Sequence, residues 1–398
     1  MNVFLGLFGF LVATLVVVIL SYKRPELSRI LLIAFTIRIL FIFINNYIFV
    51  LPDGSFDAVK YERYGWEWSV NDQVFFEKFV GPSTFFYSWV IGVVYELMDR
   101  SVLLIQFISV MVSTLLIYTS WLLTRLLFSV KEAKIVAWVL ALHPVVLMYS
   151  VLTMKEVFIS FFLVYSIYHF ITWYIQPNTN TKSLLKAFMF AVVATFFHGA
   201  MAILLGIFAF LYVYVKNRER VALSQIFSVL VLILATALVV IFWQYDIALP
   251  KLGTIESALD PYRWMSEIRH RTIGVTAYPD FLVAKNSVDL FWVVPVRLFY
   301  FIFSPFIWDI SSAGHLFGVV DGLFYMYLSF YILKYRSDIF KIKGARVIFI
   351  FIFIFIFVFS IGTGNSGTAV RHRFKFLPLI MVLFSKAFLL SKKTNKRV

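Results

Sequence analysis

Residues 29–50 read RILLIAFTIRILFIFINNYIFV, and residues 51–84 read LPDGSFDAVKYERYGWEWSVNDQVFFEKFVGPST. The first run is apolar apart from Arg38 and its edge, and it has the roughly 20 residues that a helix needs to cross a bilayer. The second concentrates six carboxylates, Asp53, Asp57, Glu62, Glu67, Asp72 and Glu77, against Lys60, Arg63 and Lys78. A membrane span thus delivers an acidic segment to the surface, where proton chemistry or ligand binding is expected.

Working outward, the whole chain has the same character. It is 62% hydrophobic and 14% charged, with mean hydropathy +0.89, far from the soluble globular range. Backbone polar groups in lipid must be satisfied within the segment, so apolar runs of this length can only be helices. No alternating strand pattern supports a barrel. There is no cysteine, which removes disulfides, thiolate catalysis and Cys-ligated metals. The first segment, Val3–Leu20, has no basic start and no small-residue cleavage site, and is read as a retained helix.

The pattern predicts an all-α polytopic membrane protein forming a single integral membrane domain over 1–398. Spans are expected near 2–21, 29–50, 102–124, 135–150, 156–175, 184–198, 200–216, 223–245, 317–334, 346–362 and 375–391, about eleven in all. Segments 85–98 and 289–308 are read as interfacial or partly inserted helices. With the N-terminus outside and the C-terminus inside, the inner loops hold 20 Lys/Arg against 4 Asp/Glu, while the two signs nearly balance outside. The positive-inside rule supports this orientation. The net charge of +15 is therefore a topology signal, and no nucleic-acid partner is expected. Two extracytoplasmic regions result: 51–101, with an interfacial helix, and 246–316.

Polar residues collect on that outer face. Asp57 and its close competitor Asp53 lie in the acidic loop; a single loop carboxylate is ordinarily just solvated, but here Trp66, Trp68, Phe75 and Phe76 would hold the loop at the membrane interface. A carboxylate held there can serve as a general base. Lys155 and Glu156 start a helix after His143-Pro144 and Ser150; such a pair can merely snorkel to headgroups, or Glu156 can have a catalytic part, positioning a substrate hydroxyl, the base or a metal, while Lys155 serves an anionic group. His198-Gly199 interrupts the apolar stretch 187–215, and His198 is either a satisfied turn residue or a substrate contact.

Arg371-His372-Arg373 follows Gly362-Thr363-Gly364-Asn365-Ser366-Gly367, read as a turn whose glycines let backbone amides approach an anion. Arginine forks match phosphate oxygens, so Asn365, Arg371, His372 and Arg373 are candidate substrate ligands; headgroup binding is the plainer reading. A second basic group, Arg263 with Arg269-His270-Arg271, lies in the other outer segment.

Taken in order, Pro82-x-x-x-x-Tyr87, Asp99-Arg100-Ser101, Leu123-Thr124-Arg125-Leu126-Leu127-Phe128, His143-Pro144, Ser150 and Lys155-Glu156 resemble the front half of bacterial GT-C membrane glycosyltransferases. That superfamily includes the protein O-mannosyltransferases and the lipid A aminoarabinose transferase. Residues 297–308, RLFYFIFSPFIW, and 371–378, RHRFKFLP, are similar to segments of bacterial relatives.

The resemblance implies a GT-C-like bundle in the bacterial cytoplasmic membrane, its active site facing out. It also implies transfer of a sugar from a polyprenyl-phosphate-linked donor, with inversion at the anomeric carbon. Asp57, in Asp-Ala-x-x-Tyr with Tyr61, matches the aspartate that deprotonates the acceptor, and Glu156 matches the second acidic position. The family more often has Asp there, which leaves a divalent cation open as the one candidate cofactor. Arg371 and Arg373 resemble residues that hold the donor phosphate. The family's large soluble C-terminal domain has no counterpart after Ser391, so a glycolipid or saccharide acceptor is expected.

Three other readings stand beside this one, of which a non-catalytic membrane scaffold leaves the polar residues gathered on one face unexplained. An O-antigen or exopolysaccharide polymerase would use undecaprenyl-diphosphate glycans, with Arg263, Arg269 and Arg271 on the diphosphate and His270 as base. A lipid-linked oligosaccharide flippase or transporter would depend on buried charge such as Arg38, Lys386 and Asp321, yet no internal repeat is visible. An enzyme is expected to tolerate Arg38→Gln better than Asp57→Asn, and a transporter the reverse.

Overall fold

The structure is a computed structural model that describes residues 3–71, 85–176, 181–218, 261–310 (without 273, 275 and 287) and 313–394. The chain is an all-α polytopic membrane protein; among the described residues the only β-type pairing is an isolated bridge between Ala277 and Asn365. It divides into two compact units, residues 1–168 with 377–398, and residues 169–376.

In chain order, the first unit contains α1 (Val3–Lys23), α2 (Pro25–Tyr47), α3 (Asp57–Val70), α4 (Phe86–Met98), α5 (Val102–Leu127), α6 (Val130–Leu142), α7 (Pro144–Val151) and most of α8 (Glu156–Ile175). The second contains α9 (Thr181–Phe197), α10 (Ile203–Arg218), α11 (Pro261–Arg271), α12 (Leu290–Phe303), α13 (Ala313–Lys334), α14 (Arg336–Ile339), α15 (Lys343–Ile361) and α16 (Ser366–Phe374). The last helix, α17 (Leu377–Thr394), belongs to the first unit.

Six helices, α1, α2, α5, α8, α13 and α15, are long and apolar enough to cross a membrane, and the bent pairs α6–α7 and α16–α17 raise the number to eight. These correspond to eight of the eleven expected spans. The expected spans 184–198 and 200–216 coincide with α9 and α10, of 17 and 16 residues. The expected span 223–245 lies outside the described residues.

The local signals are ordinary ones. Pro25 opens α2, where a missing N–H costs nothing. Ser101 caps α5 through Leu104 N, and Ser129 with Glu132 forms a capping box on α6. Helix α5 is the centre of the first unit, packed on α1, α2, α6 and α7. Its Ser109, Thr114, Ser120 and Thr124 hydroxyls donate to the carbonyls four residues earlier, so they stay satisfied in an apolar interior. Glu132, buried on α6, takes Lys386 of α17 at 3.4 Å.

Two segments read as loop or turn are helical instead. Residues 57–70, inside the expected acidic loop, form α3, whose buried positions Ala58, Tyr61, Glu62 and Gly65 have helical spacing. The inward Glu62 disguises that face in the sequence. It is 5% exposed, accepts two hydrogen bonds from Arg100 at 2.8 Å and takes the Tyr95 hydroxyl at 2.9 Å. The carboxylate beside it lifts the Arg100 guanidinium pKa still higher. The glycine on that face matters too: a Cβ on Gly65 would lie 2.7 Å from Ile91 Cγ2 and 2.9 Å from Ser88 O, so α3 seats directly on α4. Likewise, residues 366–374 of the expected 362–375 turn form α16, capped by Asn365 Oδ1 on Thr368 N at 2.7 Å.

Within the second unit, Arg297 on α12 is fully buried and donates to the carbonyls of Leu282, Ser360 and Thr363, closing the C-terminal end of α15. Arg373 on α16 does the same for α12, donating to Ile302 O at 2.8 Å and Ser304 O at 2.7 Å. Its guanidinium also pairs with Asp321 of α13 at 2.8 Å, both side chains being nearly inaccessible.

Candidate active site

Helix α2 ends at Tyr47, and the chain turns sharply before α3. Asn45 Oδ1 accepts from Leu51 N at 3.0 Å, and Gly54 N donates to Leu51 O at 2.9 Å. This turn holds Asp53 at φ +63°, a left-handed conformation rare outside glycine that persists only where its surroundings fix it. They do: the Tyr149 hydroxyl of α7 donates to Asp53 Oδ2 at 2.7 Å. Asp57 is the first residue of α3.

The break between α7 and α8 meets the same place. Thr153 Oγ1 donates to the carbonyl of Ala58, the residue after Asp57, at 2.8 Å. The Lys155 ammonium lies 5.1 Å from the centre of the Tyr61 ring, and Tyr61 packs edge-on against Tyr87 at 5.8 Å. Tyr87 in turn touches Phe158, two residues past Glu156. Lys155 and Glu156 are 4% and 1% exposed, so they do not snorkel to the surface. Asp53, Asp57, Tyr61, Lys155 and Glu156 therefore belong to one neighbourhood built from α3, α7 and the start of α8. Asp72 and Glu77 lie outside the described residues.

The remaining predicted residues belong to the second unit. His198 and His372 are buried with rings 5.7 Å apart, and both pack on Phe359. Lys375, also buried, places Nζ 3.4 Å from His372 Nδ1. Arg271 Nη1 donates to Gly362 O at 2.9 Å, and a Cβ on Gly364 would lie 2.2 Å from Arg271 O, so backbone meets backbone there. Asn365 serves as the cap of α16, and Arg371 is half-buried on that helix. Arg269 and His270 are exposed in the last turn of α11, which also carries Arg263.

Arg271 and Arg373 thus have protein partners that the positive-inside argument did not anticipate. Tyr149 and Glu62 were missed as well. A tyrosine in an apolar run reads as an ordinary core or interface aromatic, and nothing in the sequence marks its hydroxyl.

Among the described residues no three His, Cys, Asp or Glu side chains are grouped to hold a metal ion.

No protein-family model matches the chain, and no curated protein matches it. Among solved structures the chain is similar to the archaeal oligosaccharyltransferase AglB from Archaeoglobus fulgidus, in complex with an inhibitory peptide and a dolichol-phosphate. The TM-score is 0.51 at 14% identity, over 95% of this chain and 52% of that one. The chain spans about half the length of that protein, and at this identity the likeness is one of fold alone.

Proposed function

We propose that this chain is a membrane glycosyltransferase that moves a sugar from a polyprenyl-linked donor to a glycolipid or saccharide acceptor on the extracytoplasmic face. The observation that carries the proposal is the meeting of the acidic segment with the α7–α8 break, through Tyr149–Asp53 and Thr153–Ala58. The likeness to a membrane oligosaccharyltransferase whose complex holds a dolichol-phosphate supports the donor class.

In this reading Asp57 takes the proton of an acceptor hydroxyl as its oxygen attacks the anomeric carbon. The bond from that carbon to the phosphate oxygen breaks, and polyprenyl phosphate leaves with the bonding electrons. Attack from the opposite face inverts the anomeric centre. Asp53 orients the acceptor, Glu156 binds a sugar hydroxyl, and Lys155 is the cation for the phosphate, where preorganised charge lowers the barrier most. Arg373 already has its fork on Asp321 and Ser304, so its part is to hold α16 in place.

The test is transfer, in vitro or by complementation, with Asp57→Asn, Lys155→Ala and Arg263→Ala at equal membrane levels. Loss with the first two and retention with Arg263→Ala supports the proposal. Loss centred on Arg263, with Asp57→Asn active, overturns it in favour of a polymerase acting at α11.

A further inference from the structure

Arg38 lies in the middle of a membrane-spanning helix and is 0% exposed, yet no carboxylate among the described residues pairs with it. Its donors all have partners: Nε gives to Ser113 Oγ of α5 at 2.6 Å, Nη1 to Ala34 O at 2.9 Å and Ala141 O at 3.2 Å, and Nη2 to Leu140 O at 3.1 Å. Two of the four acceptors are the last carbonyls of α6.

Those carbonyls need an outside donor for a reason written in the sequence. In a continuous helix Leu140 O would accept from the N–H four residues on, but that residue is Pro144, which has none. The helix breaks there: His143 is extended, at φ −62° and ψ 125°, and α6 and α7 meet at 60°. In an apolar interior the stranded carbonyls would be costly, and they also carry the negative end of the α6 dipole. A guanidinium answers both needs at once. Helix α7, aimed by this bend, carries Tyr149, whose hydroxyl reaches Asp53.

We infer that Arg38 is a positioning residue: it takes the place of the donor that Pro144 lacks, fixes the bend between α6 and α7, and so holds the Tyr149 hydroxyl on Asp53. Only the last of these steps rests on the proposed function.

The bend is tested without any activity, by thermal unfolding of the purified chain in detergent. Arg38→Met removes every donor at similar length, and Pro144→Ala restores the missing N–H so that Leu140 O has a backbone donor once the bend relaxes. Arg38→Met is expected to lower the midpoint by about 5 °C or more in the wild-type background and by less than half as much in the Pro144→Ala background. Equal losses in both backgrounds overturn the inference. If Arg38→Met alone does not accumulate in membranes, the double variant is expected to accumulate; its absence, with Pro144→Ala present, overturns the inference as well.

The positioning step is read in transfer per folded molecule. Arg38→Met combined with Tyr149→Phe is expected to lose no more than the worse single variant, because both act through one contact; losses that multiply contradict it. A wild-type chain inactive in transfer would count against the proposed function, while the unfolding comparison would still decide the bend.

Discussion

The Tyr149 hydroxyl donates to Asp53 Oδ2 at 2.7 Å across 96 residues of sequence, joining α7 to a turn whose aspartate sits at φ +63°. That hydrogen bond acts together with the turn, in which Leu51 N donates to Asn45 Oδ1 and Gly54 N to Leu51 O, to hold Asp53 in one orientation. Removing it with Tyr149→Phe is expected to cost transfer roughly 10- to 100-fold, the worth of a hydrogen bond to a charge. Steady-state transfer rates of the two proteins at equal folded concentration check this; unchanged rates would leave Asp53 without a part in the chemistry.

Glu62 faces inward against Tyr95 and Arg100, while the Arg100 side chain is 44% exposed. Arg100→Ala leaves a buried carboxylate without its fork, at a cost of about 2–3 kcal/mol once the solvent-reaching side of the pair is discounted. Glu62→Gln in the same background should recover part of the loss. Denaturation of the single and double variants measures both.

Asp321 and Arg373 form a pair nearly closed to solvent, with Tyr325 stacked 5.2 Å from the guanidinium. Removing one partner strands the other, so Asp321→Asn should destabilise the chain by about 3–5 kcal/mol. The double replacement Asp321→Leu with Arg373→Met should be milder than Asp321→Asn, provided that the Ser304 carbonyl finds water. Midpoints of thermal unfolding in one detergent rank the variants.

Gly65 tests how tightly α3 must seat. Gly65→Ala puts a methyl group 2.7 Å from Ile91 Cγ2, and backbone Ser88 O cannot step aside. Overpacking of this kind costs about 1–3 kcal/mol, and it should move Asp57 enough to lower transfer. Full activity at normal stability would mean that the site tolerates a shift of α3.

The spans were legible because apolar runs of membrane length have one stable outcome in lipid, and α1, α2, α5, α8, α13 and α15 lie close to where the sequence placed them. Of the candidate residues, Asp53, Asp57, Lys155 and Glu156 could be named from charge in an apolar context, but not the contacts that surround them. Glu62 hid the buried face of α3, because a carboxylate there breaks the apolar pattern and its partners lie more than 30 residues away. Tyr149 was one aromatic among many. Arg38 was visible as a buried charge, but its partners are backbone carbonyls created by a bend at Pro144, and a sequence shows side chains rather than stranded carbonyls. Arg38→Gln therefore discriminates an enzyme from a transporter only when compared at equal folded protein.

The most direct test of the central claim is sugar release by the purified chain from a radiolabelled extract of polyprenyl-linked lipids of the producing cells, wild type against Asp57→Asn. The account predicts loss of label from the lipid fraction, with label appearing on a glycolipid or saccharide acceptor, by wild type and not by the variant. Equal release by both proteins would contradict Asp57 as the base, and no release by either would contradict glycosyl transfer from such a donor.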